Sequence, residues 1–411
     1  MISILTAAVV FLFILSISFL FYRAVNSGNG AIYLNPFAYT LLFSCFYILL
    51  PSFFKLNHFF SYLNVDYSYT IEEAFIGLYF VLVYFLFFVI YSPENKFEFR
   101  VSDECRPKPI FYFYLAIIIL CCAYIVVKIP GLYYSTRGLE TRTELVKVYY
   151  DLITNTKTLM FIWIMTIYVM FISISKKRNR YLIFLIPLFV IDFLTHGRAL
   201  MWIALISIIS VLTFNGVKIK IKYMISLFAF MIFISIARQL INDNVVFNLQ
   251  SSFINGFGEF LYTSEVGSLL LSKKYYFPEA SPVGHFVCSM FPSVVCSTLL
   301  SESFTTYSHY LSSLYDSPFG LASSMIAESV AYNKYMWLIY PWLLCFTNFI
   351  SCLFLNSRKT SFIVINSLNI ISIYSYFRGN YFSQLPLIFY FVFFFMYPIF
   401  ILSLYRRGSR A

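Results

Sequence analysis

Five arginines are placed where they could bind a phosphorylated substrate at a membrane surface: Arg137, Arg142, Arg198, Arg238 and Arg378. Each lies in or beside a loop that the charge pattern, described below, assigns to one side of a membrane. A guanidinium group stays protonated and binds phosphate through two parallel hydrogen bonds, which suits a pyrophosphate. In the alternative interpretation, individual arginines lie at the membrane interface or pair with Glu140, Glu144 or Asp192.

Four residues in the same regions could act as a general base: Glu328, His309, His285 and His196. Such a base accepts a proton from an attacking hydroxyl group and must lie within hydrogen-bonding reach of it. Glu328 has the best position, because it closely precedes a predicted membrane span and belongs to the spaced motif described below. The alternative is that Glu328 pairs with an arginine or with Lys334, and that His309 is an ordinary surface histidine.

Motifs of several other chemistries do not occur in the sequence. It contains no HExxH, no Cys and His cluster with metal-ligand spacing, no P-loop, no GxSxG and no DxD. We therefore expect no metal and no cofactor, with arginines replacing a metal ion as the counter-charge. The eight cysteines show no CxxC spacing, and most lie in apolar stretches, where cysteine acts as a small hydrophobic residue.

The composition places these residues in a membrane protein. Of the 411 residues, 60% are hydrophobic, 22% aromatic and 11% charged, whereas soluble domains carry about 25% charged residues. Apolar stretches that could span a bilayer, which takes about 20 residues, recur along the chain. The first, residues 2–22, has no basic segment before it and no cleavage site, so we expect a retained helix rather than a signal peptide.

Basic clusters predict the topology. They lie around residues 96–108, at 176–180, 218–222 and 356–359, and at 405–410. Because cytoplasmic loops carry the excess of Lys and Arg, all of these clusters are placed inside. The N-terminus is then outside, the C-terminus is inside, and the net charge of +11 is a topology signal, so nucleic-acid binding is not predicted. About eleven spans result, near residues 2–22, 36–54, 71–91, 110–129, 156–175, 181–196, 199–214, 223–240, 336–355, 361–376 and 382–404.

Residues 181–214 form one apolar stretch with basic clusters at both ends. A single helix would put these clusters on opposite sides and bury Arg198, at a cost of about 2.5–3.5 kcal/mol or more. Two helices that turn at "THGR", residues 195–198, keep both clusters inside and bring Arg198 to the outer face. Helices of about 16 residues are about 24 Å long, which is short for a bilayer. We expect the turn to form the floor of an outward-facing cavity.

Three regions follow from this topology. Residues 1–240 form a membrane bundle of about eight spans with an outer loop at 130–156. Residues 241–335 form a large outer loop, and residues 336–411 form the last spans and a cytoplasmic tail. The large loop contains an apolar stretch around Pro292 that could dip into the membrane, although its prolines argue against a full span.

A spaced motif stands just before the span predicted at 336–355. Gly320, Ser324 and Glu328 follow the pattern GxxxSxxxExxxN, with Asn333 one residue late. The Gly-Arg turn at 197–198, the apolar Pro-containing segment and the late "FRGN" at 377–380 occur in a characteristic order. In these features the chain resembles bacterial O-antigen polymerases of the Wzy type, also called oligosaccharide repeat unit polymerases. The matched features extend over about residues 180–400, and the topology over the whole chain.

The resemblance implies a glycosyltransferase with a GT-C-like helical fold in the bacterial inner membrane, with its active site facing the periplasm. It would polymerise undecaprenyl-pyrophosphate-linked oligosaccharide repeat units, which serve as donor and acceptor, by metal-independent inverting transfer. Glu328 or His309 would be the base, the five arginines would bind the pyrophosphate, and His196, Asn333 and His285 would support them. Membrane lipid and a chain-length regulator in the membrane are the other expected partners.

Two other functions remain open. An O-antigen ligase would share the fold and the donor but transfer the glycan to lipid A core. A flippase for lipid-linked oligosaccharides would also be multi-pass and basic, but should show repeated halves, short loops and charges lining several spans. The long loop at 241–335 and the lack of an internal repeat count against a flippase, and the motif at 320–333 favours a polymerase over a ligase.

Overall fold

The structure is a computed structural model that describes residues 2–26, 30–58, 67–91, 108–136, 148, 156–195, 199–217, 219–220, 222, 258–273, 324–333, 335–356, 359–379 and 381. Every regular element in these ranges is a helix, and none of them contains a strand. For this part of the chain, the prediction of an all-helical protein is confirmed.

The α-helices, in chain order, are α1 (Ile2–Asn26), α2 (Pro36–Ser44), α3 (Leu50–Leu56), α4 (Tyr67–Ile90), α5 (Lys108–Thr136), α6 (Thr156–Ser175), α7 (Ile186–Thr195), α8 (Ala199–Phe214), α9 (Gly258–Lys273), α10 (Met325–Tyr332), α11 (Met336–Asn356) and α12 (Thr360–Tyr376). Short 3-10 helices, Ala31–Leu34 and Asn179–Leu185, precede α2 and α7, and a π-helix, Cys45–Leu49, joins α2 to α3.

Six segments of the described chain are long and apolar enough to cross a membrane: Ile2–Asn26, Pro36–Leu56, Tyr69–Ile90, Phe111–Ser135, Thr158–Ser175 and Met336–Asn356. The chain is therefore a multi-pass membrane protein. Helix α8 is apolar but shorter. The spans predicted at 223–240 and 382–404 lie outside the described residues, so the total of about eleven spans stays a prediction.

The stretch at 181–214 folds into a helical hairpin. Helix α7 ends at Thr195 and α8 begins at Ala199, which confirms the predicted division into two helices. At the open end, the Asn215 side-chain amide donates to Asn179 Oδ1 over 2.5 Å. At the closed end, the backbone N–H of Met201 donates to Asp192 Oδ2 over 2.6 Å. The turn residues 196–198 lie outside the described part, and with them the predicted cavity floor.

Helix directions bring the charged residues of several helices to one end of the bundle. Helices α2 and α3 run antiparallel to α4, because Phe37 stacks on Phe87 at one end and Lys55 meets Glu73 at the other. Helix α11 runs parallel to α4, and α12 returns antiparallel to α11. The end that carries Lys55, Glu73, Glu328 and Arg378 is called the site end below. The basic residues 176–180 lie at the opposite end, beside the open end of the hairpin.

Uncharged polar side chains hold α2, α11 and α12 together in the middle of the bundle. Asn348 donates to Thr40 Oγ1 over 2.8 Å, and Asn369 donates to Asn348 Oδ1 over 3.0 Å. Nearby, Ser351 donates to Asn366, which in turn donates to the Leu34 carbonyl. All of these side chains are buried. Hydrogen bonds of this kind are a common means of joining helices inside a membrane.

A π-helix interrupts the span formed by α2 and α3. Its bonding is visible at Leu50, whose N–H bonds to the Cys45 carbonyl five residues back. Pro51 follows directly and has no N–H to donate. A π-turn holds one more residue than an α-turn and is often found at functional sites. It lies two turns before Lys55, the residue that enters the site end.

Helix α9 belongs to the region predicted as the large outer loop, yet it packs into the bundle. Its Phe260 ring meets Tyr47 edge-on at 4.6 Å. Its Ser264 and Ser268 contact Lys55 and Glu73, and both serines are buried. At least this part of residues 241–335 is therefore a component of the helical core at the site end.

Candidate functional site

Three of the predicted site residues lie in the described part of the chain: Glu328, Arg378 and Asn333. The others lie outside it, so their positions remain predictions: His309, His285, His196, Arg137, Arg142, Arg198 and Arg238.

Glu328 lies in the first turn of α10, a helix whose start is capped by a side chain. The Ser324 hydroxyl oxygen accepts a hydrogen bond from the Ala327 N–H over 3.1 Å, as serine at an N-cap typically does. A carboxylate in the first turn of a helix is also favoured by the helix dipole. Local sequence thus explains why α10 begins at Met325 and why Glu328 is tolerated there, although its side chain is 1% exposed.

The Glu328 carboxylate joins three elements. Its Oε2 atom accepts a hydrogen bond from the Tyr340 hydroxyl of α11, and another from the Tyr381 N–H over 3.1 Å. Tyr340 is fully buried. Glu328 therefore ties α10 both to α11 and to the residue that follows the "FRGN" turn, so the structure brings two of the quoted motifs into contact.

Arg378 lies in the turn that ends α12. The Arg378 N–H bonds to the Ser375 carbonyl, and the next residue, Gly379, has φ +71°, the left-handed conformation that glycine commonly supplies at a helix end. The guanidinium carbon lies 5.2 Å from the centre of the Tyr374 ring, and Nη1 donates to the Tyr374 hydroxyl over 3.2 Å. Tyr374 thus holds the arginine side chain at the site end.

Asn333 has a local structural role. It ends α10, and its side-chain oxygen accepts a hydrogen bond from the Tyr335 N–H over 3.0 Å. Its carbonyl accepts from the Met336 N–H over 2.8 Å, at the start of α11. Asn333 therefore shapes the turn that sets α10 against α11, and this supports the position of Glu328 indirectly.

A buried ion pair that the sequence analysis missed lies beside this group. Lys55 Nζ is 2.5 Å from Glu73 Oε2, and the two residues are 7% and 2% exposed. The ammonium group also donates to Ser268 Oγ over 2.8 Å and to the Ser264 carbonyl over 3.3 Å. Charges inside a membrane protein are costly and usually functional. The sequence did contain an indication of this pair. Lys55 follows the span predicted at 36–54 and Glu73 lies near the start of the span predicted at 71–91, so both charges are placed on the outer side of the membrane.

Helix α9 brings the ion pair and the Glu328 helix into contact. The Ser264 hydroxyl donates to Glu73 Oε1 over 3.0 Å, and the Ser268 hydroxyl donates to Glu73 Oε2. Between these serines lies Gly267, where a Cβ atom would come within 2.8 Å of Glu73 Oε1 and closer still to Ser324 Oγ. The residue that caps α10 is therefore packed directly against α9 at Gly267.

Aromatic side chains line the same end of the bundle next to Arg378: Phe43, Tyr47, Trp202, Phe260, Tyr374 and Phe377. The Trp202 indole N–H donates to the Ile371 carbonyl over 3.0 Å, which joins the closed end of the hairpin to α12. Aromatic faces of this kind can pack against sugar rings as well as against each other.

The arrangement combines a carboxylate that could take up a proton, a guanidinium group that could bind phosphate and an adjacent cluster of aromatic side chains. Within the described residues, no three His, Cys, Asp or Glu side chains are grouped to hold a metal ion. Comparisons of the chain with protein-family models, with curated proteins and with solved structures give no match, so its function has to be argued from these residues.

Proposed function

We propose that the protein polymerises undecaprenyl-pyrophosphate-linked oligosaccharide repeat units into O-antigen or a related surface polysaccharide. One observation carries the proposal: Glu328 bonds to the backbone of Tyr381, immediately after the turn that bears Arg378. A carboxylate and an arginine that are 50 positions apart in the sequence thus lie at the same end of the bundle, opposite the basic residues 176–180. Inverting glycosyl transfer from a pyrophosphate donor needs a base for the acceptor hydroxyl and a counter-charge for the leaving group, and these two side chains could supply both.

In the proposed reaction, the non-reducing-end hydroxyl of one lipid-linked repeat unit attacks the anomeric carbon of the growing glycan. The bond to undecaprenyl pyrophosphate breaks with inversion, and the leaving group departs with the electron pair. Arg378, together with Arg137, Arg142, Arg198 and Arg238, neutralises the pyrophosphate without a metal. Glu328 accepts the proton of the attacking hydroxyl, with His309 as the second candidate for this role.

The corresponding architecture is a GT-C-like bundle of about eleven spans in the bacterial inner membrane, with the site end facing the periplasm. Membrane lipid surrounds it, and a chain-length regulator in the same membrane is a proposed partner. His196, His285 and Asn333 have supporting roles in this proposal. The chain would have no nucleic-acid partner, because its basic residues are accounted for by topology.

The test uses lipid-linked glycans extracted from cells in which the gene for this protein is deleted, because these cells accumulate the natural repeat unit. The purified protein, in lipid nanodiscs with EDTA present, is incubated with this extract, and the products are separated on a gel. A ladder of increasing repeat number is expected. If a product appears only after lipid A core is added, the protein is an O-antigen ligase. If neither product appears, the proposed polymerase fails and the flippase for lipid-linked oligosaccharides becomes the remaining candidate.

Two arginine variants make this test specific to the site end. Arg378→Ala should lower the rate of ladder formation about 100-fold or more, because a charge that stabilises the leaving group is lost. Arg180→Ala serves as the control, since Arg180 is exposed at the opposite end of the bundle and should keep the full rate. Equal rates for the two variants would remove Arg378 from the proposed site.

A further inference from the structure

We propose that the Lys55–Glu73 ion pair is a positioning device that seats helix α9 in the bundle and, through α9, sets the position of the helix that carries Glu328. The placement of α9 and α10 can be measured without substrate. Only the expected loss of turnover rests on the function proposed above.

Helix α9 supplies most of the partners of the ion pair. The three N–H bonds of the Lys55 ammonium group have three acceptors, Glu73 Oε2, Ser268 Oγ and the Ser264 carbonyl, and two of these belong to α9. Ser264 and Ser268 also donate to the Glu73 carboxylate. Because they are four residues apart, they lie on the same face of the helix. Both charged groups therefore keep all of these hydrogen bonds only while α9 is in place.

The energetics of the Lys55–Glu73 ion pair favour a role in positioning α9 over a role in the overall stability of the fold. An intact buried ion pair adds little to stability, because the cost of removing both charges from water offsets their attraction. Withdrawing α9 would nevertheless leave two buried charges with fewer hydrogen bonds, and bonds to charged groups are the strong ones. The pair thus penalises one specific movement, the departure of α9 from α3 and α4.

Gly267 couples the position of α9 to the position of α10. Only glycine allows α9 to approach Glu73 and Ser324 as closely as it does. Ser324 caps α10 through the Ala327 N–H, and Glu328 follows one helical turn later. A shift of α9 would therefore release the start of α10 and with it the carboxylate that bonds to Tyr340 and Tyr381.

The main test measures the reactivity of buried cysteines toward a maleimide. In a background with the natural cysteines replaced by alanine, a single cysteine is introduced for Val266 of α9 or for Met325 of α10, which are 3% and 1% exposed. We expect Glu73→Gln to speed labelling at both positions at least about tenfold, because local opening becomes easier. The matched control is Asn348→Leu, which breaks buried hydrogen bonds between α2, α11 and α12.

If Glu73→Gln reduces folding, two milder variants in α9 can be used for the same labelling test. Ser268→Ala removes one hydroxyl from the ion pair, whereas Ser272→Ala removes a hydroxyl that bonds only within α9, to the Leu269 carbonyl over 2.7 Å. Labelling should accelerate for Ser268→Ala and stay slow for Ser272→Ala. The proposal is overturned if labelling at Val266 stays slow in both pair variants, or rises equally in the controls. Unchanged labelling at Met325 would overturn the link to α10.

The activity readout separates this proposal from the proposed function. If the unmodified protein forms a ladder, Glu73→Gln should lower kcat with little change in KM, since the substrate contacts remain but Glu328 is displaced. A fall in kcat no larger than that of Asn348→Leu would contradict the placement role. If the unmodified protein forms no ladder, the proposed function fails, while the labelling result still decides whether the ion pair seats α9.

Discussion

Glu328 is a carboxylate held in one orientation by two donors on one of its oxygens, the Tyr340 hydroxyl and the Tyr381 N–H. A base that is oriented before the substrate arrives loses no freedom during the reaction, which favours catalysis. The same two bonds could also serve only to join α10 to its neighbours. A substitution that removes the charge of Glu328 but keeps its shape distinguishes the catalytic role from the structural role.

Substitutions at Glu328 and Tyr340 separate these roles. Glu328→Gln keeps an acceptor for Tyr340 or Tyr381 but cannot take up a proton, so the rate of polymer formation should fall about 100-fold to 10,000-fold. Tyr340→Phe removes one donor and leaves the carboxylate, so we expect a loss of about tenfold. Initial rates on the extracted lipid-linked glycan are the measurement. Comparable losses in the two variants would point to a structural role for Glu328.

At the residue scale, the sequence predicted some contacts and not others. The motif singled out Ser324 and Glu328 without predicting a helix there, and the structure shows that Ser324 caps α10 and that Glu328 lies in its first turn. The contacts of Lys55 and Glu73 with two serines about 200 positions later are long-range contacts. No local pattern specifies such a contact, because it depends on how α9 enters the bundle.

At the scale of elements, helix α9 is the clearest case in which packing and not local sequence determines the position of a helix. Its sequence, "GEFLYTSEVGSLLLSK", contains two glutamates and several small polar residues, which is typical of an exposed loop segment. In the structure its Ser264, Gly267 and Ser268 form a contact face against charged residues of α3 and α4. The hairpin of α7 and α8, in contrast, followed from the basic clusters at its ends, because topology constrains charge directly.

Close packing at Gly267 gives a prediction for the stability of the bundle. In Gly267→Ala the added Cβ would meet Glu73 and Ser324, and this overpacking should destabilise the fold by about 1–3 kcal/mol. The control is Gly131→Ala in α5, where nothing lies within 4 Å of the added atom. That variant should be neutral or more stable by up to about 1 kcal/mol, since alanine is the better helix former. Thermal unfolding in detergent, followed by size exclusion, measures both, and a less stable Gly131→Ala with an unchanged Gly267→Ala would contradict the packing described.

The whole molecule has a polarity that neither single residues nor single helices show. Residues 176–180 with their four basic side chains lie at one end, and the buried carboxylates and Arg378 lie at the other. The positive-inside rule assigns the first end to the cytoplasm. Charge counts along the sequence are the basis of this prediction, whereas the residues that lie together at the site end could be identified only from the three-dimensional arrangement of the helices.

Cysteine labelling in intact cells tests this polarity. A cysteine at Tyr335, which is exposed at the site end, should react with a membrane-impermeant maleimide added from outside. A cysteine at Arg178, which is exposed at the opposite end, should react only after the membrane is opened. The natural cysteines are again replaced by alanine. Reaction at Arg178 and protection at Tyr335 would invert the topology and place the site end in the cytoplasm.

The π-helix at Cys45–Leu49 has a consequence for how such a bundle could arise. A π-turn is equivalent to one residue inserted into an α-helix, and each residue advances an α-helix by about 100°. A chain with one residue fewer in this turn would form a regular helix in which position 55 points about 100° away from Glu73. The lysine would then face a neighbouring helix or the lipid. A single codon of insertion or deletion is thus enough to connect or disconnect the charge pair, and unlike a substitution at Lys55 it leaves both charged residues in the chain.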